Sequence, residues 1–164
     1  AHPEMKLVFQ PGTFQMKLGT EVLKDIYAHT YAFFCNLEEA KRILGTNEHE
    51  IPMLLKALHK LGPKIVCITD GINGAYASDG VEAWYMPVYP HDPYERTGAG
   101  DAFASTVSVA LLKGKTLAEA LNWGPINSMS VVQYIGAQEG LLSEDKIAKY
   151  LSEAPASYIA QPLF

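Results

Sequence analysis

Apolar residues along this chain follow two alternating rhythms: short unbroken runs, and longer stretches that repeat every three or four positions. KLVFQ (6–10), YAFFC (31–35) and KIVCITD (64–70) are the short runs. They lack the in-out alternation of a half-wet strand, so each predicts a strand covered on both faces. Between the first two, TEVLKDI sets Leu23 and Ile26 on one helical face with Val22 beside them. Asn36 opens a helix over LEEAKRIL that closes at Gly45. IPMLLKALHKLG then places apolar residues at 51, 54, 55, 58 and 61, with Pro52 in its first turn and Gly62 as the stop. Strands separated by helical crossovers imply parallel pairing.

The rhythm changes after residue 74. GAYASDGVEAWYMPV puts Asp79-Gly80 between two strand-like runs, the signal of a tight hairpin. From Asp101 onward the pattern is helical throughout: 101–113 ending at Gly114, 117–123 behind the capping box of Thr116 and Glu119, 126–135 behind Pro125, and 144–153 behind Ser143. The expectation is one α/β domain over 1–164, a mostly parallel sheet with a β-hairpin and C-terminal helices. The sequence starts without an initiator methionine and almost directly on a core strand, as a piece of a longer chain would.

Composition narrows the partners. With 13 basic and 18 acidic residues the net charge is −5 and no basic cluster occurs, which argues against a nucleic-acid partner. No apolar stretch reaches the roughly 18 residues of a membrane span, and AHPEMKLVF has no secretory layout, so the expected compartment is the cytoplasm. Cys35 and Cys67 lie inside apolar runs and read as buried thiols rather than a disulfide. The five histidines, at 2, 29, 49, 59 and 91, show no metal-ligand spacing. Trp84, Tyr85, Tyr89 and Tyr94 read as hairpin packing more than as a base-stacking platform.

The candidate chemistry centres on TGAGD (97–101), placed directly before the apolar stretch AFASTVSVALL. Gly98 and Gly100 let the backbone turn tightly around Ala99, and the helix that follows exposes unpaired N–H groups and a positive dipole end. Such a corner attracts an anion. Asp101 has two readings: a helix cap, or a carboxylate that takes a proton from a substrate hydroxyl. The helix has almost no polar face, which predicts a central position with its N-terminus inside the protein body.

Two further clusters lie at strand ends. Asn36 and Glu39 have capping-box spacing, yet the carboxyl end of a parallel strand is also where ligands bind. The pair is therefore also a candidate for phosphates and hydrated Mg²⁺, and the two roles can coexist. Thr69-Asp70-Gly71-Ile72-Asn73-Gly74 ends the third strand with glycines three apart, a loop that can approach a nucleotide closely.

Asn36-x-x-Glu39, Thr69-x-Gly71-x-x-Gly74 and Thr97-Gly98-Ala99-Gly100-Asp101-Ala102-Phe103, in that order, resemble the C-terminal half of the ribokinase-like (PfkB-type) carbohydrate and nucleoside kinases. The resemblance covers about residues 6 to 141. It implies a three-layer ribokinase-like core, present here as a partial fold, and transfer of the γ-phosphoryl of ATP to a hydroxymethyl group of a sugar or nucleoside. By resemblance Asp101 is the catalytic base and Gly98, Ala99 and Gly100 form the anion hole. Asn36 and Glu39 serve phosphate and Mg²⁺, and Thr69, Asp70, Gly71 and Gly74 border the nucleotide. The adenine-side contact falls near Pro125 or Asn127. The family usually has Asp-Thr ahead of x-Gly-Ala-Gly-Asp, where this chain has Glu95-Arg96-Thr97; the resemblance implies a monovalent cation at Glu95 and Thr97, with glutamate and arginine in place of the usual pair. The family's first half, which carries most sugar contacts, is missing from the sequence. Two other readings stay open: a non-catalytic nucleotide- or anion-binding module, and a structural domain whose motifs are only caps and turns. An exposed apolar face and self-association are expected if a first half normally packs here.

Overall fold

The three apolar runs become neighbouring strands. A computed structural model of the chain describes residues 4–91, 97–136 and 138–163. In chain order the elements are β1 (Leu7–Phe9), α1 (Thr13–Val22), α2 (Lys24–His29), β2 (Thr30–Asn36), α3 (Leu37–Leu44), α4 (Ile51–His59), β3 (Ile65–Thr69), β4 (Ala75–Ser78), β5 (Ala83–Met86), α5 (Ala99–Leu112), α6 (Leu117–Val131), α7 (Glu144–Glu153) and β6 (Gln161–Pro162). The six strands form one sheet in sequence order. No described helix is long and apolar enough to cross a membrane.

The sheet is mixed rather than mostly parallel. β1, β2 and β3 pair parallel, whereas β4, β5 and β6 add three antiparallel ladders. Helices cover both faces. One layer packs α5, α6 and α7 on Phe34, Cys67, Ala77 and Met86, and the other packs Leu23, Tyr27, Ala40, Leu54, Leu55 and Leu58 on Phe33, Cys35, Val66 and Ile68. Side chains alternate across a strand, and Cys35 sits beside Ile68 while Cys67 sits beside Phe34. The two thiols therefore lie on opposite faces, both buried and unbridged.

Several sequence expectations are corrected. β1 is an edge strand, so its Leu7 is exposed instead of covered on both faces. Leu23 and Tyr27 enter the core, whereas Val22 and Ile26 face outward; α1 is broken at Gly19 (φ +80°), which resets the helical phase ahead of them. The hairpin loop has four residues, not two: Asp79 Oδ1 accepts the N–H groups of Val81 and Glu82, drawing 79–82 into a closed turn. The region after Asp101 is not all helical, because Gln161 and Pro162 pair with Tyr85 and Trp84.

Pro125 does not open a new helix; α6 runs unbroken through it. Proline withdraws one hydrogen bond from the helix interior, but packing decides the outcome here. Gly124 lies so close to α5 that an added Cβ would sit 2.6 Å from the Phe103 ring and 2.8 Å from Val107. The whole segment from Trp123 to Ile126 is buried, and the expected ends at 123 and 135 become a single end at Val131.

Candidate active site

The carboxyl ends of β1, β2 and β3 and the first turn of α5 converge on two adjoining hollows. The larger is a cavity of about 530 Å³ lined by Asn36, Thr69, Gly71, Gly74 and Ala75 from the sheet side, Ala99, Gly100 and Phe103 from α5, and Pro125, Ser128 and Val132 from α6 and its end. Ile72, Val88 and His91 complete the wall. This volume is in the range of a nucleotide-sized ligand. Although the chain is net acidic, no carboxylate is among the described residues that line it. Beside it is a notch of about 60 Å³ formed by Gln10, Phe34, Cys35, Asn36, Glu39, Thr69, Gly100 and Phe103.

The α5 start is open to ligands. Gly98 occupies the N-cap position in the left-handed region (φ +82°), and no side chain of the described residues caps the turn. The first helical bond runs from the Ala102 N–H to the Gly98 carbonyl at 2.9 Å, so the amides of Ala99, Gly100 and Asp101 precede the helical ladder. Ser128 Oγ donates to the Ala99 carbonyl at 2.8 Å and ties this turn to α6. Asp101 is thus not the helix cap; its side chain is exposed in the first turn and accepts a bond from Gln10 Nε2 at 3.1 Å. The helix is less enclosed than its composition suggests, for Asp101, Ser105, Val109 and Leu112 form an exposed stripe along it.

Asn36 and Glu39 form the reciprocal capping box of α3 and line the notch together. The bond positions leave Glu39 Oε1 uncommitted among the described residues, since Oε2 takes the Asn36 N–H. Burial pushes the neighbouring Cys35 thiol well up, and the Glu39 carboxylate adds to the effect. That thiol is neutral and no nucleophile.

The two loop glycines do different work. A Cβ on Gly71 (φ +54°) would meet nothing, so this position opens to the cavity. At Gly74 (φ +98°) a Cβ would collide with the Met86 carbonyl, and the glycine serves the β4–β5 contact. Asp70 turns aside: its carboxylate accepts Asn73 Nδ2 at 3.0 Å, and it lines neither hollow.

Asn127 is likewise placed away from the cavity. It is buried between helices, where Nδ2 donates to Thr106 Oγ1 at 2.7 Å and Oδ1 accepts the Leu142 N–H at 2.9 Å. Pro125, two residues earlier, is the one that lines the wall. Glu95, with Tyr94 and Arg96, lies outside the described residues; Thr97 is exposed at the turn before α5.

Sequence reasoning missed Gln10, Val88, His91 and Ser128. Gln10 carried a usable signal, because it ends a parallel strand at the same edge as Asn36 and Thr69. The other three lie in connections and on a helix whose facing the pattern did not fix.

A family model for pfkB family carbohydrate kinases matches residues 9–144. The chain belongs to this family. It is 34% identical over 129 residues to an ATP-dependent 6-phosphofructokinase of Thermoanaerobacterium thermosaccharolyticum, covering 79% of this chain and 39% of that protein. With a ribokinase of Bacillus subtilis the identity is 30% over 147 residues, covering 80% and 50%. The chain thus spans half or less of the length of these curated relatives. Among solved structures, a Methanocaldococcus jannaschii nucleoside kinase of the ribokinase family superposes with TM-score 0.79 at 25% identity, over 93% of this chain and 50% of its own. An Arabidopsis thaliana ribokinase complexed with ribose and ATP matches in fold, with TM-score 0.79 at 23% identity over 90% and 47%. The architecture is therefore the ribokinase fold, present in part.

Proposed function

We propose that this chain is the nucleotide-binding, catalytic half of an ATP-dependent kinase that phosphorylates a hydroxymethyl group of a sugar or nucleoside. One arrangement carries the reading: the exposed Asp101 carboxylate stands in the first turn of α5, behind the left-handed Gly98, beside a cavity of about 530 Å³ whose described lining holds no carboxylate. The cavity suits the nucleotide, with Gly71, Ile72, Val88, His91, Pro125 and Val132 toward its base and the Ala99–Gly100 turn toward its phosphates. Family membership and the kinase relatives point the same way.

In this reading the amides following Gly98 receive the charge that develops on the transferring phosphoryl group. The acceptor alcohol gives its proton to Asp101 as its oxygen attacks the γ-phosphorus, and ADP leaves. This chemistry asks little of the base, because positioning and charge stabilisation dominate phosphoryl transfer.

The donor set fits a magnesium ion held indirectly. Among the described residues no three His, Cys, Asp or Glu side chains gather as direct ligands. Asn36 and Glu39 can instead bond to its water shell, as a hard, reluctantly dehydrated cation requires. When bound, the ion neutralises charge on the phosphates. By motif position, a monovalent cation would fall near Glu95 and Thr97.

The test is Asp101→Asn in the complete gene product, assayed with MgATP and a panel of sugars and nucleosides. Turnover is expected to fall about 10²- to 10⁴-fold, with ATP binding by calorimetry retained. Near-normal turnover overturns the assignment. Nucleotide binding by the wild-type protein without any phosphorylated product would instead identify a binding module.

A further inference from the structure

Asp101 is held from outside its own helix. Gln10 Nε2 donates to Asp101 Oδ1 at 3.1 Å, across 91 positions of sequence. Topology makes the contact. β1 runs parallel to β2 with Phe9 beside Phe33, so the next residue emerges on the sheet edge where Asn36 and Thr69 also end. Buried Pro11, which has no N–H to extend a ladder, then turns the chain toward α1. The same nitrogen lies 3.7 Å from where a Cβ of Gly100 would stand, which puts the Gln10 amide against the first turn of α5.

We propose that Gln10 is a positioning residue for Asp101, an inference that rests on the reading of Asp101 as the base. An exposed aspartate on a first helical turn has several staggered rotamers, and only some aim at an incoming alcohol. The Gln10 amide proton takes Oδ1 and selects one orientation, leaving Oδ2 to receive the alcohol proton. A neutral amide does this without an opposing charge. Among the described residues no lysine or arginine pairs with Asp101, and the partner that orients the carboxylate is a neutral amide.

The same bond in a purely structural role would only tether β1 to α5, and kinetics separates the two. In the complete gene product, Gln10→Leu keeps the bulk and removes the donor, and Gln10→Glu keeps the shape and sets an acceptor against Asp101. Both are expected to lower kcat by about tenfold or more with the KM for MgATP unchanged. Introduced into Asp101→Asn, neither is expected to lower the residual turnover further. The proposal is overturned if both variants keep wild-type kcat, if they lose the same factor in both backgrounds, or if KM for MgATP rises while kcat holds. Should Gln10→Leu fold poorly by circular dichroism, Gln10→Glu decides alone. Unimpaired turnover by Asp101→Asn itself removes the base assignment and this inference with it, whereas an inactive Asp101→Asn beside fully active Gln10 variants removes the inference only.

Discussion

Asn36 and Glu39 hold each other's backbone amides: Asn36 Oδ1 accepts the Glu39 N–H at 2.8 Å, and Glu39 Oε2 accepts the Asn36 N–H at 2.9 Å. Capping and ligand binding are therefore not rival roles, because both members of the cap also line the notch at the strand ends. Glutamine caps as glutamate does, so Glu39→Gln should leave the thermal melt close to wild type. In the complete enzyme the same change should raise the Mg²⁺ concentration needed for half-maximal turnover. Asn36→Ala should instead cost about 1 kcal/mol of stability through the lost cap. Melts and a magnesium titration of turnover read the two effects separately.

Gly98 and Gly100 should respond differently to alanine. Gly98 is left-handed at φ +82°, so alanine there costs roughly 1–2 kcal/mol of backbone strain. Gly100 has no such requirement, and an added Cβ meets only Gln10 Nε2 at ordinary contact distance. A methyl there projects into the hollows that Gly100 lines. Gly100→Ala should keep a wild-type melt yet lose about 10² in kcat, the scale of one disabled oxyanion donor.

The resemblance makes Asn127 a nucleotide ligand, whereas its side chain is buried with both ends of the amide bonded inside the protein. Asn127→Ala strands the Leu142 N–H and the Thr106 hydroxyl, both near the α5–α6 contact. The expected cost is about 2–3 kcal/mol of stability. Chemical denaturation should detect that loss, and ATP affinity measured below the melt should stay close to wild type.

The parts of the fold that were legible are those where one physical signal dominates. β2 and β3 are buried on both faces, so their apolar runs had no competing explanation, and the capping boxes of α3 and α6 are local hydrogen-bond patterns. Helix α6 was misread because the local rule for Pro125 yielded to the close approach of Gly124 and Phe103, which only tertiary packing reveals. β6 has two residues, one of them proline, and no pattern announces it. At the site, the glycine turn before Asp101 was visible as a motif. The Gln10 contact depended on the order of strands in the sheet.

Cys67 sits at the centre of the sheet, and burial drives its thiol far up from the ordinary range; Cys35 shifts the same way. The folded state thus favours the neutral thiols. Their contribution to stability is fully present below the unfolded-state value of about 8.5 and is lost progressively as pH rises above it toward the folded values. Denaturant melts should show stability falling from pH 8 upward, with a shallower slope in Cys67→Val. Native protein should resist a thiol reagent such as DTNB that labels both cysteines after unfolding.

Among the described residues the outer edge of β1 has no strand partner in the sheet, and its neighbourhood in sequence is unusually apolar for a surface. Phe14, Leu18 and Val22 recur every fourth residue of α1 and are all exposed, as are Met5 and Leu7 around β1 itself. An open edge offers unpaired backbone groups to another chain, and exposed apolar area adds a non-directional attraction. The 164-residue chain on its own should therefore self-associate in a concentration-dependent manner. Sedimentation velocity across a dilution series tests this, with Leu18→Lys/Val22→Lys expected to shift the distribution toward monomer while the circular dichroism spectrum is kept. A single monomeric species at every concentration would show that the edge is protected by its shortness, three residues in β1, more than it is exposed by its composition.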